Sequence, residues 1–159
     1  MSEIVEAACD ACENYLVFSI LDQQYAFPTR LVGEVALFEA VYPLPLVPPY
    51  VLGIINRYSI PHALFDIGLL LFDVPGPRGK VLVLKDGVDR VAFLVDDVSG
   101  IAEVPKGKLV GVERDQDASR RREVDDKTEM VSASFDWNGG EVFVLDINRI
   151  LARVAAEAF

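Results

Sequence analysis

The chain has 159 residues, 52% of them hydrophobic, and carries 25 acidic against 15 basic residues for a formal net charge of −10. That length is one domain or two very small ones, able to bury roughly two-thirds of its unfolded surface without staples. The acidic balance repels phosphate backbones and anionic lipid, and the longest apolar runs are far too short to span a bilayer, so neither nucleic acid nor direct membrane insertion is expected.

Residues 1–13 read as an N-terminal tail. Glu3, Glu6 and Asp10 stand there without the basic flank and long apolar core of a secretory signal, so a cytoplasmic location is expected. Cys9 and Cys12 form a single C-x-x-C. A structural zinc needs four ligands, and the chain offers one histidine and no third cysteine, so the pair reads as free thiols rather than a metal or redox centre.

Residues 15–21 and 24–27 are rich in strand formers and separated by Asp22 and Gln23, which predicts a hairpin. Pro28 and Thr29 suit a short helical turn through Leu31, and residues 32–38 resume as strand. Four prolines in residues 42–50, YPLPLVPPY, predict an extended tether without a regular ladder. The stretch VLGIINRYSIPHALFD, residues 51–66, reads as strand, turn, strand. Gly53 inside the first apolar run marks a bulge or a close backbone approach, the polar block 56–59 an exposed turn. Pro61 removes an amide donor, so the second strand is expected to be an edge or to begin just after it. Asp66 is placed to cap a short helix with Ile67, Leu70 and Leu71 on one face, and Pro75, Gly76 and Pro77 end that unit.

The second half has the same order of parts. Residues 80–85 and 88–95 are strands joined by Asp86-Gly87, the strongest hairpin signal in the chain, and residues 96–104 continue as turn and strand. Residues 130–137 and 141–145 pair around Asn138-Gly139-Gly140, and Asp146 caps a helix with Ile147, Ile150, Leu151 and Val154 at helical spacing. Residues 15–35 thus resemble 81–104, and 56–72 resemble 135–151. The repeat predicts an all-β chain of two similar small barrels side by side, with short helices including a C-terminal one. The units run roughly 15–72 and 80–151, with exchange of strands between them left open. The segment 106–128 breaks the symmetry: from Glu113 to Glu129 twelve of seventeen residues are charged, including Arg120-Arg121-Arg122, which reads as a solvated loop.

Catalytic constellations are weak. His62 lies near Ser59 and Asp66, but three residues of one strand-turn-strand point in different directions and do not converge as a triad. Asp96-Asp97 and Asp125-Asp126 are adjacent pairs that face opposite sides of a strand. No phosphate loop, H-E-x-x-H or G-x-S-x-G occurs. The different-class alternative, a small redox or hydrolytic protein using Cys9 and Cys12 or His62, is therefore disfavoured, and a body that works by being bound is expected.

Four stretches, YLVFSILDQQYAF, LPLVPPYVLGIIN, VAFLVDDVSGIAEVP and GEVFVLDINRIL, resemble the CheW-like domain of bacterial chemosensory arrays, in its stand-alone coupling form, over residues 14–155. The resemblance implies two five-stranded SH3-like barrels, no enzymatic activity and no cofactor. It implies a coupling role between the cytoplasmic tips of methyl-accepting chemoreceptors and the regulatory domain of the histidine kinase CheA. It also implies a receptor-binding groove at Leu16, Val32, Val35 and Val98, joined by Asn56, Arg57 and Tyr58 of the turn, and a kinase-binding surface at Glu34, Leu37 and Phe38. Where the family usually reads Asn-Leu-Arg-Gly, this chain reads Asn56-Arg57-Tyr58-Ser59. The coupling arginine becomes tyrosine, which lacks the planar fork of donors, and Ser59 restricts any positive φ at that turn. Three alternatives follow: coupling to a divergent receptor, kinase binding with weak or no receptor binding, or service in a twitching or other chemosensory-like pathway. A general SH3-like peptide binder is a further alternative.

Overall fold

The structure is a computed structural model that describes residues 12–73, 79–85, 90–111 and 130–158. Cys9, the Pro75-Gly76-Pro77 and Asp86-Gly87 signals and the charged run 113–129 lie outside the described residues. Eleven strands are described: β1 (Cys12–Ile20), β2 (Gln23–Pro28), β3 (Val32–Leu37), β4 (Val51–Arg57), β5 (Ile60–Asp66), β6 (Lys80–Leu84), β7 (Val91–Val95), β8 (Asp97–Pro105), β9 (Val110–Gly111), β10 (Val131–Trp137) and β11 (Gly140–Leu145). Two helices are described, α1 (Ile67–Phe72) after β5 and α2 (Ile147–Ala158) after β11, and 3-10 turns at Thr29–Leu31 and Lys106–Lys108 follow Pro28 and Pro105.

The strands form a five-stranded sheet in the order β3-β6-β7-β5-β4 and a six-stranded sheet in the order β8-β1-β2-β11-β10-β9. The chain is thus mostly β, with two barrel-like units, the sixth strand of one being the two-residue β9. The units are interleaved rather than consecutive. β1 and β2 of the first half join β8 to β11, while β3 to β5 join β6 and β7 of the second half. The sequence repeat is nevertheless visible strand by strand: β3 lies against β6 with a bulge between Val32 and Glu34, as β8 lies against β1 with a bulge between Val98 and Gly100. β5 runs parallel to β7, as β11 runs parallel to β2.

Period-two alternation explains why β1, β2, β6 and β7 are almost continuously apolar: side chains on successive residues point to opposite faces, and both faces are buried. Leu16, Phe18 and Ile20 enter a large central core between the sheets, whereas Tyr15 and Val17 fill the interior of the six-stranded unit. Likewise Phe93 and Val95 face the centre, and Ala92 and Leu94 the interior of the five-stranded unit. Both helices seal the seam. α1 inserts Ile67, Leu70 and Leu71, and α2 inserts Ile147, Ile150 and Val154. Their first turns are fixed as expected, since Asp66 Oδ1 accepts from the Leu69 amide at 3.1 Å and Asp146 Oδ1 from the Asn148 amide at 2.9 Å.

Two local expectations are corrected. Asn56 and Arg57 belong to β4, so the turn is only Tyr58-Ser59. β5 begins at Ile60, includes Pro61 and lies inside its sheet. Proline is accommodated because the ladder with β7 starts only at Ala63, so no ladder bond to β7 is required of the Pro61 nitrogen.

Candidate interaction surface

β3 and β4 are the two edges of the five-stranded sheet, and two contacts bring this part of the chain together. Beyond β3, Tyr42 forms an isolated bridge with Ile54 through paired backbone hydrogen bonds of 2.8 Å. This contact explains Gly53. A Cβ there would stand 2.1 Å from the Tyr42 carbonyl oxygen, and its φ of 142° is one that other residues rarely adopt. Nearer the turn, the Arg57 guanidinium donates to both carboxylate oxygens of Glu34, with Nε to Oε1 at 3.3 Å and Nη2 to Oε2. The hydrogen bonds to Glu34 raise the Arg57 pKa above its ordinary value, and the pair is a charge-balanced fork. The same guanidinium lies 5.4 Å from the centre of the Tyr58 ring, within cation–π range.

Next to this clasp is a shallow depression of about 180 Å³ lined among others by Leu37, Phe38, Glu39, Tyr42, Asn56 and Arg57. Two large apolar side chains of its lining are exposed, Leu37 at 65% and Tyr42 at 67%, and Tyr58, next to Arg57 in sequence, is 82% accessible. The residues expected for two separate partners are therefore brought together here. Glu34, Leu37 and Phe38 from the kinase set meet Asn56 and Arg57 from the receptor set, and Glu34 is bonded to Arg57.

The four groove residues divide differently. Val32 and Val98 hold equivalent positions before the bulges of β3 and β8, and both are partly buried against the central core, so they mark the rim of the seam. Val35 is exposed on β3, whereas Leu16 is buried within the central core. Sequence reasoning did not foresee the Glu34 to Arg57 bond, because nothing in the spacing of residues 34 and 57 states that the sheet's edges meet.

Other chemistry-bearing groups are engaged locally. His62 is buried, and its Nδ1 lies 3.1 Å from the Ile60 carbonyl oxygen of its own strand. Asp66 is committed to the α1 cap. Cys12 opens β1, a few residues earlier than the first strand was expected to start. Among the described residues no group of three or more His, Cys, Asp or Glu could hold a metal ion, and no helix is long and apolar enough to cross a membrane.

The sequence profile of the CheW-like domain matches residues 14–155. The chain belongs to the CheW-like family. Among solved structures, the scaffolding protein TtCheW from Thermoanaerobacter tengcongensis superposes with a TM-score of 0.72 at 14% identity, covering 84% of this chain and 88% of that one. The CheW-like fold is thus kept at a level of identity where few side chains are shared. No curated protein matches the chain by sequence. Within this CheW-like chain, the surface just described and the rim of the seam are two apolar features on the strands of the five-stranded unit and beside it.

Proposed function

We propose that this chain is a non-catalytic adaptor that joins the cytoplasmic tip of a methyl-accepting chemoreceptor to the regulatory domain of the histidine kinase CheA. The observation that carries the reading is a seam between two β units whose rim is apolar, with Val32 and Val98 at equivalent places and Val35 exposed on the same strand as Val32. A helical hairpin laid on such a rim gains affinity by burying its own apolar face. Membership of the CheW-like family and the likeness to a scaffolding protein support the role. Leu37, Phe38 and Glu34 on the neighbouring surface are the kinase-contact residues in this proposal.

One observation favours a second reading, in which the chain binds the kinase but not the receptor. Arg57 is already bonded to Glu34, and the position where the family's arginine is expected holds Tyr58, so no unengaged guanidinium is presented at the turn. Co-sedimentation with receptor cytoplasmic fragments and CheA from the same cell, separately and together, tests both. Binding to each partner with a change in kinase activity supports the adaptor. Binding to CheA alone supports the second reading, and binding to neither overturns both.

A further inference from the structure

The repeat contains its own control for the turn after β4. Trp137-Asn138-Gly139-Gly140 between β10 and β11 corresponds to Arg57-Tyr58-Ser59-Ile60 between β4 and β5. Both turns hold their two central residues in the left-handed region, with φ of 50° and 83° at Asn138 and Gly139 and of 52° and 67° at Tyr58 and Ser59. Asn-Gly is the pair that adopts this geometry with least strain, whereas tyrosine and serine are both forced into it. Nothing in the interior of the protein explains the choice, because Tyr58 is 82% exposed. What the strain achieves is placement. The ring is carried outward on a two-residue turn, and one side of it is approached by a guanidinium that is bonded to Glu34.

We propose that Tyr58 is an aromatic anchor for the receptor's helical hairpin, and that the hairpin face it meets carries a basic residue beside an apolar stripe. The proposal rests on the adaptor reading and adds what that reading does not contain: which residue selects the partner and the charge that partner bears. Tyrosine suits the task, since it offers a large contact area at small conformational cost and is enriched among residues that dominate binding. Tyr42 extends the exposed apolar surface in the adjoining depression, whose Leu37 and Phe38 are left to the kinase. The charge follows from the same surface. Arg57 is paired with Glu34, so the exposed Glu39 in the wall of the depression adds a negative charge that this pair does not cancel, and the nearest lysine on the neighbouring strand, Lys80, lies opposite Leu37 on the kinase side. An acidic helix would be repelled there.

The test copies the second repeat into the first. The double variant Tyr58→Asn, Ser59→Gly relieves the strain without altering Arg57, so its Tm is expected to rise by roughly 3 °C. Its affinity for the receptor cytoplasmic fragment is expected to fall about tenfold, and that of Tyr58→Ala equally, because a central aromatic contact is lost. Glu39→Lys is expected to weaken binding about threefold, as reversal of a rim charge does. Undiminished binding by the double variant overturns the proposal and leaves the adaptor reading standing, and tighter binding by Glu39→Lys overturns the basic partner face. If the unaltered protein binds CheA but no receptor fragment, the adaptor reading itself fails and this proposal falls with it.

Discussion

Arg57 and Glu34 join the opposite edges of the five-stranded sheet at the place where the other sheet is closed by Trp137 lying over Gly100. The register makes the two closures equivalent: Glu34 pairs with Val83 next to its bulge as Gly100 pairs with Val17 next to its own, and Arg57 and Trp137 both end the strand before the turn. One sheet therefore closes on an ion pair and the other on an aromatic ring. The ionic closure is about 30% accessible on both side chains, which allows water and salt to compete. A double-mutant cycle of Glu34→Gln and Arg57→Gln should give a coupling of about 0.5–1 kcal/mol in denaturant unfolding at low salt. The coupling should shrink in 1 M salt. A coupling that is zero at low salt would show that the pair closes nothing.

Gly53 tolerates no side chain. With Tyr42's carbonyl oxygen 2.1 Å from any Cβ, the clash is with backbone, and the extended tether after it cannot move without breaking the bridge to Ile54. Gly53→Ala should lower stability by about 2–4 kcal/mol in chemical denaturation, the strain at φ 142° adding to the clash. Gly107→Ala, where a Cβ meets nothing within 4 Å, is the matched comparison and should be close to neutral.

These residues also show how far the sequence could be read. Gly53 announced a close approach because glycine inside an apolar strand has few other reasons to be there, and Asp66 and Asp146 announced helix starts because capping is a local property of three or four residues. The repeat was legible for the same reason, being made of hairpins and caps. What could not be read was where the third strand of each half goes. Whether β3 pairs with β4 or with β6 depends on long-range burial, and the alternation in residues 32–38 is the same either way. The contact between Glu34 and Arg57 is hidden with it, since it exists only once β3 and β4 have become opposite edges of one sheet. The chain's departure at Tyr58-Ser59 was visible, but the positive φ that gives it meaning is a property of the folded turn.

Tyr25 gives the fold an alkaline limit. It is buried in the central core among the rings of Phe18, Phe72 and Phe143, and burial alone pushes its pKa far above the ordinary 10.0. Burial also raises Tyr15, with the nearby Glu13 adding to the effect. A phenol whose folded pKa is raised binds its proton more tightly in the folded state, so its contribution is fully present below the unfolded pKa and is lost as pH rises above it. Stability measured by urea unfolding should be flat through pH 8–9 from these groups and decline above pH 10. Tyr25→Phe keeps the ring contacts and should make that decline shallower. An unchanged slope would place the ionising group elsewhere.

The residues proposed for the receptor groove do not offer equal probes, because burial divides them. Leu16 is 7% accessible and belongs to the central core, so Leu16→Ala should cost about 2–4 kcal/mol through the cavity it leaves, and any loss of binding would follow from lost structure. Val35 is 43% accessible on β3, and Val35→Asp places its carboxylate in water. Its cost to stability should stay within about 1 kcal/mol, since surface changes outside caps and packing rarely exceed that, with some loss of strand propensity included. Binding to the receptor fragment should nevertheless fall at least about tenfold, because the carboxylate must be desolvated when an apolar helix face covers it. The two measurements, a urea midpoint and a co-sedimentation isotherm on the same variant, separate a contact residue from a core residue. If Val35→Asp folds normally and still binds the receptor fragment as the parent does, the rim of the seam beside β3 is not where the receptor sits.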